Sequence, residues 1–141
     1  MIREWKDRSG TPEHLGWECD SIEVWESKFK PILLNQPPTI DRNYAKRRYA
    51  EARKRDRWAF LIGLAPFEVL RKLLGDVESM MNLIEEPEWI KDISEVVTAT
   101  MLRNLQALLD EGLAPDGLFV CGDMAYNHST MCSPDTYEEV I

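Results

Sequence analysis

Two short apolar stretches indicate the fold class, WAFLIGLA at positions 58–65 and LFVC at positions 118–121. Both are continuous and far shorter than the roughly 18 residues that a membrane span needs. A short, fully apolar run is typical of a strand that is buried on both faces, as in a parallel sheet. The sequence therefore predicts two buried strands.

The segment between these stretches has the signals of helices. Pro66 fits the first residue of a helix that ends at Gly75, Asp76 can cap a second one, and Pro87 begins a long third helix that ends near Glu111. Strands that are joined by a helical crossover lie parallel, so the order predicts an α/β fold with about two parallel strands. The long helix carries an apolar stripe made of Ile90, Ile93, Val97, Met101, Leu105 and Leu108.

Helix starts are also visible outside this segment. Asp20 or Ser21 can cap a helix in the N-terminal part, and Thr39 or Asp41 can begin another. Near the other end, Ser133 precedes a proline and an aspartate, which is typical of a helix start. We expect residues 1–57 to form a loop-rich and helical part, and residues 58–141 to form the strand-containing section.

Charge is unevenly distributed along the chain. Residues 41–57 hold eight Lys and Arg against three Asp and Glu, whereas residues 76–141 hold two against fourteen. The basic stretch suggests a nucleic-acid patch or a solvated helix, and the net charge of −8 favours the helix. We therefore expect no nucleic-acid partner and no membrane partner.

The compartment is predicted from the cysteines and the N-terminus. Three cysteines without CxxC spacing do not indicate a disulfide framework, and the first residues hold no apolar signal segment. We expect a cytoplasmic protein.

The predicted elements form an unfinished domain. Two strands cannot cover both of their own faces, so residues 1–141 read as a single incomplete α/β domain. Open strand edges also template association between chains, which predicts a homo-oligomer or an aggregate.

The order of the motifs resembles the uroporphyrinogen decarboxylase family. Residues 60–75 (FLIGLAPFEVLRKLLG) resemble the family's strand, G-P-F loop and helix, and residues 87–90 (PEWI) resemble the start of its next long helix. Residues 114–126 (APDGLFVCGDMAY) resemble the following strand and its acidic loop, and residues 133–137 (SPDTY) resemble the next helix start. Residues 21–33 are similar to an upstream part of less characterised members.

The resemblance implies a section of a (β/α)₈ TIM barrel, because such a barrel needs about 250 residues. The family contains tetrapyrrole decarboxylases, which act without a cofactor, and zinc-dependent methyltransferases that serve corrinoid proteins. The implied parent is a lyase of porphyrin biosynthesis or a methyltransferase, with a tetrapyrrole or a methylated compound as its small-molecule substrate. We expect no cofactor in this segment, zinc only in a full-length methyltransferase, and no catalysis by the isolated segment.

The candidate site follows the second strand. Asp123 is the candidate catalytic residue, because in a barrel the carboxyl ends of the strands carry the chemistry and a carboxylate there can orient a pyrrole N–H. A turn aspartate that caps local amides is the structural alternative. The resemblance places Lys72 where the decarboxylases have a substrate-contacting Tyr. Their two pyrrole-binding motifs, an Arg in a glycine-bearing N-terminal motif and an Asp before the G-P-F strand, are not found here. The candidate substrate-binding residues are Phe67, Lys72, Gly122, Met124 and Tyr126, and each also has an ordinary role in packing, turns or solvation.

A zinc site is the weaker hypothesis for this loop. Cys121, His128 and Cys132 are of the types that bind zinc, but Cys121 lies in an apolar strand and no fourth ligand is apparent. We predict no metal ligands in this segment. A non-catalytic fragment that binds a partner through apolar helix faces is the alternative from another functional class.

Overall fold

The computed structural model describes residues 2–4 and 13–141, and it is a helix-rich α/β structure. A π-helical turn, Trp25–Phe29, joins the first two helices. The helices are α1 (Ile22–Val24), α2 (Lys30–Asn35), α3 (Arg42–Lys54), α4 (Pro66–Leu74), α5 (Asp76–Glu85), α6 (Pro87–Asp110) and α7 (Pro134–Val140). The strands are β1 (Ile2–Glu4), β2 (Glu13–Gly16), β3 (Phe60–Leu64), β4 (Gly117–Cys121), β5 (Ala125–Tyr126) and β6 (Ser129–Thr130).

The predicted pair of parallel strands is confirmed. β3 and β4 run side by side from the pair Phe60–Gly117 to the pair Leu64–Cys121. Asp116 fixes the start of this pair, because its amide donates to the Ala59 carbonyl at 2.7 Å and its carboxylate accepts from the Ala59 amide at 2.8 Å. Two further strand pairs were not predicted, β1 with β2 in the N-terminal part and β5 with β6 after β4.

The prediction that both strands are buried on both faces is wrong. Phe60 and Ile62 are 59% and 61% exposed, and Phe119 of the neighbouring strand is exposed beside them. On the opposite face, Met101 of α6 lies against Gly63 of β3, whereas Leu118 and Val120 of β4 are 50% and 47% exposed. We call the outer apolar face the open sheet face and define it by Phe60, Ile62, Leu64 and Phe119. Phe60 and Ile62 also line a groove beside α3.

The core lies between the helices rather than between helix and sheet. Phe67 and Leu70 of α4 and Ile90 and Ile93 of α6 are fully buried, and Trp25 joins them from the π-helical turn. This cluster confirms the buried part of the predicted stripe on α6. Burying such side chains is the main source of stability in a domain of this size.

Local capping confirms most of the predicted helix starts. The side chains of Ser21, Asp41 and Ser133 each accept a hydrogen bond from an amide in the first turn that follows. The prediction for Asp76 is one residue out, because Gly75 occupies the capping position and Asp76 is the first residue of α5. The Asp76 carboxylate instead accepts a hydrogen bond from Arg71 at 2.6 Å.

Polar contacts fasten the N-terminal part to α6. The Arg103 guanidinium donates to the carbonyls of Leu33, Leu34 and Gln36 at 2.6, 2.6 and 2.9 Å, which satisfies the free end of α2. Nearby, the Asn104 side chain accepts from the Thr39 amide at 2.8 Å. The loop before α3 is therefore held in place through long-range bonds.

Ion pairs fasten the basic helix α3 to the acidic C-terminal half. Arg53 binds both carboxylate oxygens of Asp116 at 2.7 and 2.9 Å, and its guanidinium lies 4.6 Å from the Tyr49 ring. Lys46 and Arg42 bind Glu111 at 2.6 and 3.3 Å. The uneven charge of the sequence is thus partly neutralised by ion pairs within the chain. No residue of α3 is buried, which agrees with the interpretation of this segment as a solvated helix.

Candidate functional site

The candidate site lies where β3 and β4 end. Because the strands are parallel, their carboxyl ends meet at one edge of the sheet. The Ala65 amide donates to the Cys121 carbonyl at 2.7 Å, and the chain then enters α4 at Pro66. The residues that follow β4, Gly122 and Asp123, lie beside this helix start.

Gly122 has a packing role at this edge. A Cβ atom at this position would lie 3.0 Å from the Ala65 Cβ, closer than side-chain carbons ordinarily approach. The glycine therefore allows the β4 end to lie against the β3 end, so its presence is accounted for without a ligand.

Asp123 is exposed, and its backbone is held on both sides. Its amide donates to Glu68 Oε1 at 3.2 Å, and its carbonyl accepts from Arg71 Nη1 at 3.3 Å. Among residues 13–141, no group donates a hydrogen bond to the Asp123 carboxylate. The carboxylate is thus available to a donor from outside, and it caps no amide in the described structure.

Glu68 and Arg71 form an ion pair that the sequence analysis did not single out. The pair is 3.0 Å long, and the two side chains are 17% and 19% exposed. Hydrogen bonding to Asp76, together with the charges of Asp76 and Glu68, raises the pKa of Arg71 from its ordinary value. The spacing of three residues within a helix predicts such a pair, whereas its contact with Asp123 depends on the tertiary fold.

The other candidate binding residues are dispersed. Phe67 lies fully within the core, where its ring is 6.5 Å from the Tyr137 ring, so it takes the packing role. Lys72 is exposed on α4, and Tyr126 is exposed on β5. Met124 is half-buried against the core cluster. The structure thus brings Gly122 and Asp123 together with Glu68 and Arg71, rather than with Phe67.

The three residues of the zinc hypothesis do not form a ligand group. Cys121 and Cys132 are half-buried, whereas His128 is exposed and contacts the Asn127 side chain at 3.3 Å. Burial raises the pKa of the Cys132 thiol, which disfavours the thiolate that binds metal. Among the described residues, no group of three or more His, Cys, Asp and Glu is placed to hold a metal ion.

A groove of about 470 Å³ lies near the opposite end of the strands. It is bounded by α3, by the start of β3 and by the loop that follows α6. Trp58 and Tyr44, both largely exposed, lie along it, and Arg48 is its exposed basic residue. The sequence does not predict this groove, because its walls come from three separate parts of the chain.

Comparisons with known proteins give no assignment. No protein-family model matches the chain, and no curated protein or solved structure does so either. Across residues 2–4 and 13–141, none of the helices has the length and apolar character that crossing a bilayer requires.

Proposed function

We propose that this chain is a section of a uroporphyrinogen decarboxylase-like (β/α)₈ barrel, and that its Asp123 edge belongs to the substrate site of the parent enzyme. The substrate class is a tetrapyrrole and the reaction type is decarboxylation. The alternative within the family is methyl transfer from a methylated compound, with zinc bound outside this segment.

The observation that carries the proposal is the position of Asp123. It lies two residues beyond β4, at the edge where two parallel strands end and α4 begins. Barrel enzymes build their sites from the loops at this edge. The carboxylate there is exposed, and Glu68 and Arg71 hold the backbone of the same residue, which suits a group that must orient a ligand.

The open sheet face also supports a section of a larger sheet. Phe60, Ile62 and Phe119 are apolar side chains, and each is more than half exposed in this structure. In a barrel, the inward faces of all strands pack against one another in layers. Further strands beside β3 and β4 would remove these side chains from water.

The chemistry requires a fixed acceptor near a ring N–H. In a decarboxylation the bond to the carboxylate carbon breaks, carbon dioxide leaves, and the remaining carbon takes up a proton. Asp123 accepts a hydrogen bond from a pyrrole N–H and holds the ring in place. Fixed polar groups of this kind stabilise the charge that develops in the transition state.

The experiment is to express the product of the whole reading frame and measure release of carbon dioxide from uroporphyrinogen. We expect decarboxylation by the wild type and a loss of at least about a hundredfold in Asp123→Asn, which cannot supply the negative charge. Glu88→Gln, an exposed residue on α6, is the matched control and should act as the wild type does. A fully active Asp123→Asn enzyme would contradict the proposed role.

The coding sequence itself separates the alternatives. A glycine motif with an Arg upstream favours decarboxylation, whereas a downstream His-x-Cys followed by a later Cys favours methyl transfer.

A second candidate function is non-catalytic binding of a partner protein. The exposed side chains of Trp58, Phe60 and Ile62 favour it, since a contiguous apolar surface often marks an interaction site. A reading frame that adds no strand-forming sequence on either side supports this candidate and contradicts the barrel.

A further inference from the structure

Two side chains of α4 hold the backbone of Asp123 from both sides. Glu68 Oε1 accepts from the Asp123 amide at 3.2 Å, and Arg71 Nη1 donates to the Asp123 carbonyl at 3.3 Å. The amide and the carbonyl belong to the two rigid peptide planes that flank the Asp123 Cα. These two bonds together therefore restrict the direction in which the side chain leaves the backbone.

Glu68 and Arg71, which we call the clamp, are themselves held in place by ion pairs. Glu68 and Arg71 are joined at 3.0 Å, and Arg71 Nε donates to Asp76 at the start of α5 at 2.6 Å. Both clamping side chains are about four-fifths buried, so salt screens their attraction less than it screens an exposed pair. By contrast, the Glu88–Lys91 pair has the same three-residue spacing, but its glutamate is 85% exposed.

We propose that Glu68 and Arg71 are positioning residues, which set the Asp123 carboxylate at the ligand-facing edge of the sheet. This inference rests on the proposed function, in which Asp123 contacts the ligand. Neither residue touches the ligand, and both act through the backbone. A carboxylate that is already in place loses little freedom on binding, whereas a displacement of about 1 Å costs a large factor in rate or affinity.

The first test measures the clamp directly. Hydrogen exchange of the Asp123 amide is followed by NMR in the full chain and in Glu68→Ala, Glu68→Gln and Glu88→Ala. We expect exchange to quicken at least about tenfold in Glu68→Ala, because the amide loses its acceptor. Glu68→Gln keeps an oxygen acceptor at the same reach and should stay within about threefold of the wild type, and Glu88→Ala should not differ. An unchanged Asp123 amide in Glu68→Ala overturns the inference.

The second test measures the consequence for binding. Uroporphyrin, a fluorescent tetrapyrrole with ring N–H donors, is titrated into the product of the whole reading frame. We expect Glu68→Ala and Arg71→Ala each to weaken binding about tenfold, and Glu68→Gln to restore most of the affinity. If Glu68→Ala does not fold, Glu68→Asp replaces it, because the shorter side chain withdraws the acceptor.

The variants distinguish a failure of the positioning role from a failure of the proposed function. Tight binding that depends on Asp123 but is the same in Glu68→Ala and Arg71→Ala overturns the positioning role and leaves the proposed function standing. Binding that is absent, or that Asp123→Asn leaves unchanged, overturns the proposed function and the positioning role with it.

Discussion

Replacing Gly75 with alanine is expected to destabilise the junction of α4 and α5 strongly. Gly75 has φ +93° and ψ 167°, a region that is almost restricted to glycine. A Cβ there would also lie 2.8–2.9 Å from ring atoms of the Trp17 indole. Strain in this region costs about 1–3 kcal/mol, and overpacking costs about 1–3 kcal/mol more, so we expect a loss of about 3 kcal/mol in the free energy of unfolding.

Alanine substitutions at two other glycines distinguish the cost of backbone strain at Gly75 from the cost of its contact with Trp17. Gly112 also has a positive φ, +72°, but a Cβ there would meet nothing within 4 Å, so Gly112→Ala should cost about 1 kcal/mol. Gly16 has neither feature and should tolerate alanine without loss. The lower entropy of the unfolded chain is common to all three substitutions and cancels in the comparison.

The assay for this series is urea unfolding followed by circular dichroism. With a denaturant dependence of about 2 kcal/mol per molar, the midpoint of Gly75→Ala should fall by about 1.5 M. If the midpoint of Gly75→Ala equals that of Gly16→Ala, neither the positive φ of Gly75 nor its contact with Trp17 contributes to stability as expected.

Three further predictions concern the core, the strand start and the open sheet face. Trp25→Phe removes the hydrogen bond of 2.6 Å from the buried indole N–H to Asp92, and urea unfolding should show a loss of about 2 kcal/mol. Arg53 and the Ala59 amide hold the pKa of Asp116 below its usual range, so the folded state gains stability above about pH 4 and loses it as the pH falls further. In acid titrations of stability, Asp116→Asn should therefore show a shallower loss than the wild type, and an unchanged slope contradicts this. The chain should self-associate in sedimentation experiments and Ile62→Lys should shift it towards the monomer, whereas a monomeric wild type at high concentration contradicts this expectation.

Local signals account for the parts of the fold that the sequence predicted well. Ser21, Asp41 and Ser133 cap helices because a side-chain oxygen reaches the amide three residues later, which depends on no distant residue. Pro66 and Pro87 begin helices because their fixed φ suits the first turn. The parallel pair of strands was predictable from topology, because two strands that are joined by a long helical crossover pair in parallel.

The errors arise where the outcome depends on distant parts of the chain. A continuous apolar run shows that a strand can be buried on both faces, but it does not show what covers it, and Ile62 is exposed. The short pair β5–β6 gives too few residues for an alternating pattern to appear.

The contact of Glu68 and Arg71 with Asp123 also depends on distant parts of the chain. The ion pair of Glu68 and Arg71 follows from helix periodicity, but its reach to a residue 52 to 55 positions later follows only from the fold.

A crystal structure of the product of the whole reading frame would show whether β3 and β4 belong to a barrel. We expect further parallel strands along the open edges of β3 and β4, side chains packed over Ile62, and the Asp123 carboxylate facing the space that the strands enclose. If β3 and β4 remain a two-stranded sheet, or gain antiparallel neighbours, the chain is not a section of a (β/α)₈ barrel.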